Sequence, residues 1–312
     1  MNTTASARPI TRGLGAAADV LGKRVHGLAI ANVAAQIGII VTGGLVRLTE
    51  SGLGCSDWPH CEPGAFTPEF HAEAGIHGFI EFGNRLLTFV LAIIALLLAI
   101  AIWRARPQFK WLGLVPGLGI IAQAVLGGIV VLLDLNPLLV GLHMFISAGL
   151  VWISVQIALR VRSAPRRVGR PMPALLGWSR ALLMVVVVLG VLTTGAGPHS
   201  GDANATERLA LDPAIIARVH AYAVVAYLAV LIWMILRVRA DRSAGQRDEV
   251  RKAWVVVIVV TLAQGLIGVV QYFTGLPEVL VGAHMLGIGL LVAAQSAANY
   301  LLSSEQTTVR ST

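Results

Sequence analysis

Residues 77–103 read HGFIEFGNRLLTFVLAIIALLLAIAIW, and from Leu86 to Trp103 the stretch carries no charge. A helix rising about 1.5 Å per residue needs about 20 mostly apolar residues to cross about 30 Å of hydrocarbon, so this run predicts a membrane-spanning helix. Working outward from it, seven more runs of that kind can be marked, at 28–48, 111–133, 138–158, 176–195, 213–236, 254–274 and 279–301. Only 13% of the 312 residues are charged and 56% are hydrophobic, whereas a soluble domain carries about 25% charge. The predicted fold is therefore an all-α integral membrane protein of eight transmembrane helices.

A net charge of +8 would also suit a nucleic-acid partner, so the position of the 24 Lys and Arg residues matters. Twenty of them fall in the N-terminal segment, around 104–111, 160–180 and 236–252, and in the C-terminal tail. The opposite side holds Arg208 and Arg218, while Arg47 and Arg85 lie inside predicted helices. This is the positive-inside pattern, with both termini expected in the cytoplasm and no nucleic acid implied. The segment 1–26 is polar and lacks an apolar core before a cleavage site, so no secretory signal is expected. A bacterial plasma membrane, with the lipid bilayer as surroundings, is the expected location.

The chain repeats itself. Leu139-Val-Gly-Leu-His143-Met144 returns as Leu280-Val-Gly-Ala-His284-Met285, and Gln123 and Gln264 precede their His by the same interval. A direct repeat of four helices predicts two similarly oriented four-helix bundles related by an axis along the membrane normal. The expected divisions are a tail at 1–26, a first half at 27–162, a linker at 163–175, a second half at 176–301 and a tail at 302–312. The longest extramembrane stretch runs only from Thr49 to Ile76, so the chemistry belongs in the membrane or at its outer rim.

Four histidines, His77, His143, His220 and His284, fall in the first turns of the even-numbered helices, at one depth. Polar ionisable groups in hydrocarbon are costly and point to function, although an interhelical hydrogen bond would account for any single one. Neutral imidazoles from facing helices suit a planar iron macrocycle, whereas zinc asks for three or four clustered ligands. His220 and His284 form the expected pair of the second half. In the first half His143 needs a partner from helix 2, where His77, Glu81 and Asn84 share a face through spacings of four and three. Glu81 is either a paired structural group or a proton-handling one, and Arg85 beside it can neutralise it. Arg47, near an outer helix end, either snorkels or pairs with a propionate or carboxylate. Cys55 and Cys61, in a loop expected to face an oxidising compartment, read first as a small disulfide ring. A metal site with His60 and His71, or redox-cycling thiols, are the alternatives.

These residues resemble the heme A synthase family over essentially all eight helices. The resemblance is carried by the segment from Gly44 through Arg47, Gly52, Cys55 and Trp58-Pro59 to Cys61. It continues in Glu81-Phe-Gly-Asn84-Arg85, Leu126-Gly-Gly128, His143-Met, Gly197-Pro-His199-Ser-Gly-Asp202, His220 and the stretch from Gln271 to Pro277 before His284-Met. It implies oxidation of a methyl group of heme O to the formyl group of heme A, for cytochrome oxidase biogenesis. It further implies a permanent heme b on His220 and His284, substrate heme bound against His143, and Glu81 as the acidic residue needed for catalysis, to accept a proton or stabilise positive charge. Heme O synthase and oxidase assembly factors are the implied partners. Many members read Glu-x-x-His-Arg on helix 2, where this chain has Asn84. The second face of the substrate iron is thus left to Asn84, water or His77. The loop from Pro198 to Ala214 also lacks a cysteine pair that some relatives carry. A diheme b-type cytochrome that only transfers electrons is the alternative reading, and a secondary transporter a more distant one.

Overall fold

The computed structural model describes residues 15, 18–70, 75–162, 172–205, 207–240 and 247–302. Among the described residues, eight helices are long and apolar enough to cross a membrane. They are α1 (Val25–Leu48), α2 (His77–Ala105), α3 (Lys110–Leu132), α4 (Pro137–Arg160), α5 (Pro173–Ala196), α6 (Pro213–Ala240), α7 (Arg247–Phe273) and α8 (Glu278–Leu302). No strand occurs among the described residues, only an isolated bridge between Glu62 and Ala65. Helices satisfy every main-chain polar group within the segment, the condition that hydrocarbon imposes. The protein is thus an all-α integral membrane protein.

Several helices run past the apolar stretches that announce them. α7 begins at Arg247, about two turns before the predicted start at 254. Hydropathy marks what lies in lipid, while helical hydrogen bonding continues into the polar layer. Helix starts are set locally. Asn136 caps α4 by accepting from the Leu138 N–H, with Pro137 in the first turn. Asp212 does the same for α6 through the N–H groups of Ala214 and Ile215.

Two hairpins, one in each half of the chain, have one geometry. Between α3 and α4, Asp134 and Leu135 adopt φ of 49° and 58°; between α7 and α8, Gly275 and Leu276 adopt 78° and 61°. The Leu135 N–H donates to the Val130 carbonyl and the Leu276 N–H to that of Gln271, closing each helix with the same overlapping turn.

Packing follows the chain order. α1 packs on α2, α2 on α3, α3 on α4, and α4 returns to α1; α5, α6, α7 and α8 likewise pack in sequence, with α8 touching α5. α8 also lies against α1 and α4, and α4 against α5, which joins the two sets. Val25, Ala29, Leu98, Ala101, Ile102 and Ile157 form a core in the first set, and Tyr227, Leu231, Met234, Trp254 and Val257 belong to a larger one that also takes in Ile40, Ala148 and Val151 of the first set. Phe89, Ile93, Leu96, Ile121, Val259 and Leu266 point outward, a surface suited to lipid. Polar side chains are turned inward and paired: Asn32 donates to Ser154 Oγ at 2.8 Å, and Gln156 to Ser296 Oγ at 3.0 Å.

Candidate functional site

Glu81 lies one turn into α2 and is only 5% exposed. Both oxygens of its carboxylate are engaged: Oε2 accepts from the Cys55 main-chain N–H at 2.8 Å, and Oε1 accepts from Arg85 Nε at 3.0 Å. The i, i+4 spacing brings Arg85 back over Glu81, and the free edge of its guanidinium reaches the loop between α1 and α2. There Nη1 donates to the carbonyls of Asp57 at 3.0 Å and His60 at 2.9 Å. Cys55 and Cys61, both fully buried, are joined in a disulfide that closes the same loop. Both thiols are therefore spent, which removes the metal alternative; His71 lies outside the described residues.

The loop is fitted closely to the helices beneath it. A Cβ at Gly54 would come within 2.5 Å of the His77 carbonyl, and one at Gly128 within 2.4 Å of the Trp58 ring. Trp58 thus lies on α3 at Gly128. His77 itself is held in this loop region, its Nδ1 2.9 Å from Ser51 Oγ. Seven residues separate it from Asn84, about 10 Å along the helix axis, so the structure does not bring these two together.

A pattern that residue types alone do not advertise runs through all eight helices. On each odd-numbered helix a glycine faces a polar side chain of the next helix. A Cβ at Gly127 would lie 3.4 Å from His143 Cε1, at Gly190 3.2 Å from His220 Cε1, and at Gly268 3.6 Å from His284 Cε1. At Gly43 the neighbour is Asn84 Nδ2, at 3.9 Å. Each ring or amide thus lies against the bare face of a glycine, and at Gly190 a Cβ would press on the ring. The Nδ1 atoms of His143, His220 and His284 and the Oδ1 of Asn84 are buried without a hydrogen-bond partner, which buried polar atoms seldom are. α2 and α4 stand diagonally across the first set of helices, each packed on α1 and α3, and α6 and α8 stand likewise across the second, each packed on α7 and α5. Sequence reasoning quoted Gly127 only inside the Leu126-Gly-Gly128 motif and passed over Gly43, Gly190 and Gly268, although Gly127 precedes His143 by the same interval as Gly268 precedes His284.

Arg47 closes the rim between the two sets. Its Nε donates to the His199 carbonyl at 2.7 Å and its Nη2 to that of Thr194 at 3.3 Å. The His199 ring in turn has Nε2 3.0 Å from the Leu276 carbonyl, in the turn between α7 and α8. Nearby, the Gly52 N–H donates to the Gly201 carbonyl at 2.8 Å. One guanidinium therefore joins α1, the segment after α5 and, through His199, the last hairpin.

Comparison with known proteins matches this architecture. Similar stretches occur in the heme A synthase of Lysinibacillus sphaericus (strain C3-41), 37% identical over 122 residues, which make up 37% of this chain and 38% of that protein. The heme A synthase of Bacillus pumilus (strain SAFR-032) is 35% identical over 133 residues, 41% of this chain and 42% of its own length. That of Geobacillus kaustophilus (strain HTA426) is 30% identical over 133 residues, 41% and 40%. The aligned stretch spans about two fifths of the length of these relatives. The profile of the family described as cytochrome oxidase assembly protein, in contrast, matches residues 26–296, from the start of α1 into the last turns of α8. With eight apolar helices and the match running through all of them, the chain belongs to the cytochrome oxidase assembly protein family.

Proposed function

We propose that this protein is a heme A synthase, which converts a ring methyl group of heme O to the formyl group of heme A. Two successive hydroxylations give a geminal diol that loses water; the balance is R–CH3 + H2O → R–CHO + 4 H+ + 4 e−, with water as the formal oxygen source and the electrons passed to an external one-electron acceptor. The observation that carries the reading is the set of glycine-backed imidazoles on diagonal helices, with the pinned carboxylate of Glu81 on one side only.

The residues fit a heme. Each imidazole lies against a glycine, most tightly at Gly190, and each has a buried Nδ1 without a hydrogen-bond partner inside the protein. His220 and His284 would hold a resident heme b in the second half, which supplies a one-electron relay when bound. His143 would hold the substrate heme in the first half, covered on the loop side by Trp58 against Gly128. The two halves, 27–162 and 176–301, are read as copies of one four-helix unit, supported by the matching hairpins at Asp134-Leu135 and Gly275-Leu276.

Glu81 has the acid–base role. Its carboxylate is fixed by one main-chain donor and one guanidinium, so it can stabilise positive charge developing at the attacked carbon or accept a proton there without moving. Arg85 balances its charge and keeps it oriented, being tied in turn to the Asp57 and His60 carbonyls. Arg47 stays available as a partner for a heme propionate through its remaining nitrogen. The Cys55–Cys61 end of the bundle is placed at the outer face of a bacterial plasma membrane, supported by the basic residues at the opposite end. Heme O synthase is the expected donor of substrate, and assembly factors of cytochrome oxidase are the expected receivers of product.

The test is to express the protein with a source of heme O and to separate the extracted pigments from wild type and Glu81→Ala. Heme A in the wild type, and heme O with retained heme b in Glu81→Ala, is the expected result. Heme b alone in both would overturn the synthase reading in favour of an electron-transferring diheme cytochrome.

A further inference from the structure

We infer that Asn84 occupies the second axial position of the first half, so that a heme held there by His143 keeps one exchangeable coordination site, on the side of Glu81. The inference rests on the heme-binding reading above and goes beyond it, because it assigns the two halves different iron coordination.

Placement carries the first step. Gly43 faces Asn84 as Gly190 faces His220, in each case the first helix of a four-helix set facing the second. Gly127 with His143 and Gly268 with His284 complete the correspondence on the third and fourth helices. Asn84 therefore stands where the second half places an imidazole. The other histidine of α2 does not take its place: His77 is two turns away, with Nδ1 at Ser51 Oγ and its main chain under Gly54. Glu81 does not take it either, since both its oxygens are already bound to Cys55 and Arg85.

Chemistry carries the second step. The amide of asparagine ends where the first ring nitrogen of a histidine would be, a ring's width short of Nε2. Its oxygen is a hard, neutral donor, poorly matched to iron where imidazole is well matched. The Asn84 Oδ1 is itself buried and unpartnered within the protein, and the short amide leaves the place of the second imidazole to a water or another small molecule. Two imidazoles clamp the resident heme, while one imidazole and a replaceable ligand retain the substrate. That difference allows the second heme to leave as product.

Full-length protein carrying both hemes is to be purified in mild detergent and reduced, and its spin state and carbon monoxide difference spectrum recorded beside the heme-to-protein ratio. Wild type is expected to show one high-spin, carbon-monoxide-reactive heme and one low-spin unreactive heme. Asn84→His should convert the first to low spin with loss of the carbon monoxide signal, and His220→Asn should create a second reactive heme. Two low-spin, unreactive hemes in wild type would overturn the inference while leaving heme binding intact. A single heme that persists in His143→Ala would overturn it together with the reading of the first half.

Discussion

The main-chain N–H of Cys55 and the carboxylate of Glu81 are joined by a hydrogen bond of 2.8 Å, 26 residues apart in sequence. The donor belongs to a disulfide-closed loop and the acceptor to the first turns of a membrane helix, so the loop fixes the acid. The consequences of that coupling can be measured.

Opening the disulfide should loosen the donor without touching the acid. A hydrogen bond to a charged group contributes about 1.5–3 kcal/mol, so Cys55→Ser with Cys61→Ser is expected to slow heme A formation about tenfold or more. Heme b content should stay at the wild-type level. The ratio of heme A to heme O in chromatographed extracts checks this.

Glu81 and Arg85 should behave as one unit in stability. Removing one partner of a buried pair costs about 3–5 kcal/mol because the other charge is left uncompensated. Arg85→Ala is therefore expected to lower the Tm more than Glu81→Gln, and the double variant to recover part of the loss. A thermal-melt double-mutant cycle in detergent reads the coupling.

Filling a cradle should displace the ring that lies in it. Valine at Gly190 would put a Cβ 3.2 Å from His220 Cε1 and its methyl groups closer still. Gly190→Val is expected to lose the heme proposed for the second half, seen as a fall in the heme-to-protein ratio. Gly27→Val, where no heavy atom lies within 4 Å, should retain it.

Arg47 should matter more than its position near a helix end suggests. It donates to two carbonyls, at the end of α5 and just after it. Arg47→Lys should fail to rescue Arg47→Ala, because one ammonium does not reproduce two diverging N–H donors. Tm values of the two variants, both below that of wild type, test this.

How much of this was legible in the sequence depends on what each residue contributes. The eight helices were, because lipid demands long uncharged runs such as 86–103. The Glu81–Arg85 pair was, because i, i+4 spacing places the two together on any helix. The donor on Glu81 Oε2 was not, since a main-chain N–H has no residue identity to read. Arg47 read as a snorkelling residue or a propionate partner. Its binding to His199 and Thr194 joins positions far apart in the chain and arises only from the packing of α1 near the end of α5. What the glycines at 43, 127, 190 and 268 face was not legible for a different reason: they act by lacking a side chain, and apolar helices contain many glycines that face nothing.

The chain of contacts from Arg47 through His199 to Leu276, with Gly52 on Gly201, ties the first four helices to the last four without using the stretch that connects them in sequence. Continuity of the polypeptide is then dispensable for assembly. Fragments ending at Arg162 and beginning at Met172, made in the same cell, should find each other and co-purify, much as two subunits of a heterodimer would.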